Sequence, residues 1–158
     1  MSFAKIDART LAYSRNAVLG IPDSGKTVTA KALAEKLMDA RVPITVLDPA
    51  GNWRFLRVPG TVKDAHGFPV VVVGGAEPDV PLANLDQAGE IMRAAMANGV
   101  SLVFDLYDPA LSKGDWRRVV EQVAHVLYYE NKPFGLRHLF IEEAAEFVPQ
   151  RVQPECAR

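Results

Sequence analysis

Val18-Leu19-Gly20-Ile21-Pro22-Asp23-Ser24-Gly25-Lys26-Thr27 sets G-x-x-x-x-G-K-[ST] between a short apolar run and a run of helix formers. That spacing implies a phosphate-binding loop. Gly20 and Gly25 stand where a side chain would crowd a bound phosphate. The amides of Asp23, Ser24, Gly25, Lys26 and Thr27 are expected to point into the cavity, at the positive end of the following helix dipole. Lys26 supplies a mobile charge for the β- and γ-phosphates, and the Thr27 hydroxyl is placed to ligate Mg²⁺. Val28, next in the helix, closes the nucleotide-binding segment. The stretch predicts a nucleotide-binding protein of the P-loop type, with Mg²⁺ beside the phosphates.

Working outward, residues 1–15 are weakly patterned and read as an arm or short strand. The domain is expected to run from 16 to 158. Asn16 to Leu19 reads as a buried strand. Lys26 to Ala40 reads as a helix with Val28, Ala32, Leu33, Leu37 and Ala40 near one face, stopped by Arg41-Val42-Pro43. Ile44 to Leu47 is a second strand, ended by Asp48-Pro49-Ala50-Gly51. Residues 52–68 hold turn formers and no clear period. Pro69 to Val73 is a β-branched strand ended by Gly74-Gly75, followed by a loop through Pro78 to Pro81.

A helix from Leu85 to Ala97 closes at Asn98-Gly99, and Val100 to Phe104 is the next strand. Asp115 to Glu130 is the clearest amphipathic helix, with Trp116, Val119, Val120, Val123, Ala124 and Leu127 on one face. Leu136 to Ile141 is another strand, and Glu142 to Val148 begins a helix cut by Pro149. Apolar strands alternating with helices predict an α/β fold, a parallel sheet covered on both faces.

Three strands end in acids: Asp48, Asp105 and Glu142. In an open parallel sheet ligands bind beyond the carboxyl ends of the strands, which puts these acids on the edge that carries the phosphate loop. For Asp48 and Asp105 the favoured reading is a solvated strand end or a helix cap. Glu142-Glu143 differs, because Leu139-Phe140-Ile141-Glu142-Glu143 has the form of a Walker B strand followed by a second acid. Glu142 is the candidate Mg²⁺ ligand. Glu143 is the candidate catalytic acid that polarises a water for in-line attack, with Lys26 assisting at the phosphates.

Gly20 to Thr27, Val46 to Gly51, Val72 to Gly75, Val103 to Leu106 and Phe140 to Pro149 occur in the order found in the HerA/FtsK superfamily of ATP-driven DNA-translocating motors. The chain resembles the HerA-like branch from about residue 13 onward. The resemblance implies a RecA-like P-loop NTPase domain, a three-layer sandwich with a mostly parallel sheet, working as a hexameric ring that hydrolyses ATP between subunits. It implies DNA as a partner of the assembled ring, and a nuclease partner. It also implies further chain after the Walker B segment, carrying a sensor strand between the phosphate-loop strand and the Walker B strand, and an arginine finger.

Against that pattern the sequence is expected to be a fragment lacking its C-terminal strands. The other two readings are direct pairing of the flanking strands, or another chain filling the gap. Pro22-Asp23 and Glu142 stand where the family more often has smaller residues and Asp. The stretch after Asp48-Pro49 lacks the family's charged residues and is given no catalytic role.

Composition sets the remaining bounds. The 158 residues suit one domain, and 49% hydrophobic with 23% charged residues is ordinary for a globular protein. No apolar run approaches the roughly 20 residues of a membrane span, and no signal-like start is present, so a cytoplasmic location is expected. Cys156 is the only cysteine, which excludes an intrachain disulfide and a cysteine-rich zinc site. His66, His125 and His138 lack ligand spacing. A net charge of −1 with dispersed basic residues does not suit a chain that grips DNA alone. Two other functions compete with the motor: a nucleotide-dependent binding or assembly module with little turnover, and a small-molecule kinase, which consecutive acids suit less well.

Overall fold

The computed structural model describes residues 6–58 and 67–147. His66, Pro149 and Cys156 lie outside the described residues. The elements are helix α1 (Ala8–Tyr13), helix α2 (Lys26–Asp39), strand β1 (Ile44–Asp48), strand β2 (Val70–Val73), helix α3 (Ala88–Ala97), strand β3 (Ser101–Asp105), helix α4 (Lys113–Glu130) and strand β4 (His138–Ile141). The strands form one sheet in the order β2-β3-β1-β4, parallel throughout. This is an α/β fold with helices on both faces.

Alternation along the strands feeds two cores. Ile44, Val46, Val70, Val72 and Val103 pack with Leu11 and Ala12 of α1 and with Leu33, Ala34 and Leu37 of α2. Leu47, Val73, Leu102 and Phe104 pack instead with Met92 and Met96 of α3 and with Val119, Val123 and Val126 of α4. All five residues of β1 are buried, as a central parallel strand requires. Each fully buried Leu or Val stabilises the fold by about 1.5–3 kcal/mol before entropy is counted.

Several helix boundaries follow from local chemistry. In α4 a capping box forms: the Ser112 hydroxyl accepts from the Asp115 amide, and the Asp115 carboxylate accepts from the Ser112 amide. α3 stops at Asn98-Gly99, with Gly99 at φ 64°. α2 spans nearly the expected residues, but its buried face is Leu33, Ala34 and Leu37; Val28, Ala32 and Ala40 are exposed.

Four expectations are corrected. Within the stretch expected as an arm or short strand, Ala8–Tyr13 form a helix capped by Asp7, because Leu11 and Ala12 gain a core contact. Asn16 to Leu19 is not a buried strand: it has no regular secondary structure and belongs to no sheet, and Leu19 is 89% exposed. It does not pair with β4, so direct pairing of the two flanking strands is not what the chain does. β4 is an edge strand whose outer side has no strand partner among the described residues. Residues 142–147 form a turn and a single 3₁₀ turn (Ala144–Glu146) in place of an α-helix, and Glu143 enters it in left-handed backbone. Trp53–Arg57, in the stretch without a period, form a 3₁₀ turn that buries Trp53 and Leu56.

Candidate functional site

The predicted phosphate loop, Gly20 to Thr27, adopts a tight, strained path. Ser24 N–H donates to the Ile21 carbonyl at 3.3 Å, Asp23 holds φ 60°, and Gly25 holds φ 83° as the N-cap of α2. Left-handed backbone is inexpensive only at Gly25; at Asp23 it costs about 1 kcal/mol. A Cβ on Gly20 would meet the Ser24 hydroxyl, which would have to turn away. Gly25 offers α2 no side-chain cap, which leaves the helix's first amides free for an external acceptor. Lys26 folds back over the loop and its Nζ donates to the Ile21 carbonyl at 3.0 Å. Asp23 and Ser24 are exposed, and Val28 is 73% exposed on the first turn of α2.

Across the sheet, strand register aligns the three acids. Asp48 of β1 pairs with Asp105 of β3, and Leu47 pairs with Ile141, so Glu142 follows at the level of Asp48. The Glu142 amide donates to the Leu47 carbonyl at 3.1 Å, extending the ladder by one step. The Thr27 hydroxyl then donates to Glu142 Oε1 at 2.6 Å, across 115 residues of sequence. Lys26, Glu142 and Glu143 line one cleft of about 500 Å³ between the loop segment and β4. A larger hollow of about 660 Å³ lies at the opposite, amino ends of β1 to β3, bordered by Val42, Pro43, Val70 and Ser101, where none of these groups reaches.

Asp48 and Asp105 are not solvated ends or helix caps; both are fully buried. Asp48 Oδ1 accepts from the amides of Ala50 and Gly51 at 3.0 Å each, and Oδ2 accepts from the Trp53 amide at 2.7 Å. The carboxylate thus folds the turn after β1. Burial pushes its acidity weaker than an ordinary aspartate, against the pull of those amides, with Asp105 and Glu142 adding repulsion. Asp105 accepts from the Tyr107 amide at 3.0 Å and meets the Arg54 guanidinium at 3.4 Å.

Lys31 Nζ donates to the Asn52 carbonyl at 2.7 Å, tying α2 to the same turn. Desolvation holds this ammonium below the usual lysine range, offset by the nearby charges of Asp48 and Glu142.

Glu142 is partly buried and has a second donor that sequence reading missed. The Trp53 indole N–H reaches Oε2 at 3.0 Å. A signal was present: a tryptophan within a turn-rich stretch has to bury its ring and find a partner for its N–H. Glu143 is exposed, with φ 47°, and its carboxylate has no hydrogen-bond or ion-pair partner among the described residues.

The donor set fits Mg²⁺: two hard oxygens, one hydroxyl and one carboxylate, converge beside a phosphate loop, and this ion completes its shell with phosphate and water. No group of three or more His, Cys, Asp or Glu suited to a metal occurs among the described residues. Among the described residues no helix is long and apolar enough to cross a membrane. Compared with protein-family models, with curated proteins and with solved structures, the chain matches none.

Proposed function

We propose that the chain is an ATP-binding and ATP-hydrolysing domain of RecA-like architecture, acting as a subunit of a DNA-translocating motor of the kind its sequence resembles. The carrying observation is the 2.6 Å contact between Thr27 of the phosphate loop and Glu142 at the end of β4. Two motifs that sequence pattern alone associated are in contact, as a Mg²⁺-nucleotide site requires. The parallel sheet, with loop and acids at its carboxyl edge, supports the same reading.

In this mechanism the amides from Asp23 to Thr27 hold the phosphates. Lys26 exchanges the Ile21 carbonyl for a phosphate oxygen, a charged acceptor in place of a neutral one. Thr27 and Glu142 would hold Mg²⁺, which would supply charge neutralisation at the phosphates. Glu143, without a partner among the described residues, accepts the proton of a water that attacks the γ-phosphorus; the bridging P–O bond breaks, giving ADP and inorganic phosphate. The hexameric ring, DNA and a nuclease partner belong to this proposal through the resemblance.

The test is ATP binding and Mg²⁺-dependent turnover, with and without DNA. Lys26→Ala is expected to abolish both binding and turnover. Glu143→Gln is expected to keep binding and to lower turnover by about 10²–10⁴-fold, the usual worth of a general base. Tight binding with no turnover in any assembled, DNA-supplied form would replace the motor by a nucleotide-switched assembly module. No ATP binding by the wild type would sink both.

A further inference from the structure

Trp53 is fully buried, and its one polar side-chain atom is spent on the acid that the proposed function makes a metal ligand. Each oxygen of Glu142 has its own donor: Thr27 Oγ1 on Oε1 at 2.6 Å and Trp53 Nε1 on Oε2 at 3.0 Å. The two donors differ in kind. A threonine hydroxyl rotates and also accepts, so it can release Oε1 and turn a lone pair elsewhere. An indole N–H only donates, and this one is held through its backbone and its ring. The Trp53 amide is bonded to buried Asp48 at 2.7 Å, its ring lies 5.2 Å from that of Phe140, and Asp48 is itself fixed by Ala50 and Gly51. Glutamate has one more side-chain torsion to fix than aspartate, so a rigid donor on one oxygen matters more for it.

We infer that Trp53 is a positioning residue for Glu142. Its indole N–H anchors Oε2 and leaves Oε1 as the oxygen presented beside Thr27 to a divalent cation. The inference rests on the Mg²⁺-nucleotide reading of the site and adds to it a residue outside both motifs. It also gives the turn after β1 a function: Asp48 folds the turn, the turn places Trp53, and Trp53 orients Glu142.

The experiment titrates Mg²⁺ into the full chain carrying a fluorescent ATP analogue, following the gain in nucleotide affinity. Trp53→Phe keeps an aromatic ring in the core and removes the N–H together with part of the indole's buried volume. It is expected to bind the analogue without metal within about twofold of wild type, yet to need about 10–100-fold more Mg²⁺ for half the effect, the range for loss of an outer-shell partner. In a Glu142→Ala background the same substitution is expected to change nothing further.

A Mg²⁺ half-point unmoved by Trp53→Phe overturns the positioning role while nucleotide binding stands. Wild-type affinity indifferent to Mg²⁺ overturns the metal role of Glu142 and this inference together. Should Trp53→Phe fail to fold, the wild-type chain still decides. Its Trp53 indole ¹⁵N–¹H resonance, assigned against Trp116→Phe, is expected to shift when Mg²⁺ is added to the ATP-bound protein, with Trp116 as the internal reference. A Trp53 resonance that stays in place overturns the inference.

Discussion

Glu142 shows how much a single position depends on partners distant in sequence. Its place after an apolar strand was legible, because a run of β-branched and large apolar residues ending in two acids is a local pattern. Its two donors, Thr27 and Trp53, were not, since each contact closes a long loop of chain. The buried acids teach the same lesson with the opposite sign. Asp48 and Asp105 looked like solvent-facing ends, yet both are enclosed by turns whose amides they hold. Gly75 serves that enclosure. It sits at φ 73°, and a Cβ there would strike the Asp105 carboxylate, which cannot retreat because it is buried against Arg54. Gly75→Ala is therefore expected to destabilise the fold by about 1–3 kcal/mol, combining backbone strain with the collision. Denaturant unfolding measures it; a change within error would mean that the turn after β2 shifts freely.

Among the elements, α4 was the most legible and α1 the least. α4 combines apolar residues at spacings of three and four with a capping box, so local and tertiary preferences agree. Ser112→Ala removes the acceptor for the Asp115 amide and is expected to cost about 1 kcal/mol. Hydrogen bonds from the Ser112 hydroxyl and amide also hold the Asp115 carboxyl below its ordinary range, so this variant should raise that value, readable by NMR titration. Nucleotide affinity should not change, because α4 stands on the sheet face away from the phosphate loop. α1 is only six residues long and too short to show a period; it is helical because Leu11 and Ala12 pack against α2. Asn16 to Leu19 fails in the other direction. Its apolar run suits a strand, but a strand needs a hydrogen-bonding neighbour, and none is beside it among the described residues.

Across the whole molecule, β4 is the strand most open to its surroundings. Its residues are only half-buried, and Ile141 is 40% exposed, whereas every residue of β1 and β3 is buried. His138, at its start, lies against the Phe140 ring at 5.0 Å, and desolvation holds the imidazole below its ordinary value of 6.5, with a bond to the Ala12 backbone opposing. Below 6.5 the unfolded chain binds a proton that the folded chain resists, so this group's contribution to stability is present above that pH and is lost as pH falls through the depressed folded value. Thermal melts are expected to show a steeper loss between about pH 7 and pH 5 for wild type than for His138→Phe, in line with the linkage of proton uptake to unfolding. Equal slopes would remove His138 as the cause.

The four sheet strands and the long helices were legible in the chain read alone, because their signals are local: an apolar run or face, a cap, a glycine at a tight turn. Tertiary structure decided the rest. It left the run before the loop unpaired among the described residues, turned two strand-ending aspartates inward, converted the helix expected after Glu142 into a 3₁₀ turn entered through left-handed Glu143, and set a tryptophan from a patternless stretch against the carboxylate beside Thr27. Those outcomes depend on which neighbours are present once the sheet has formed. Hydrogen-bond partners and burial belong to the packed fold, and no local stretch encodes them.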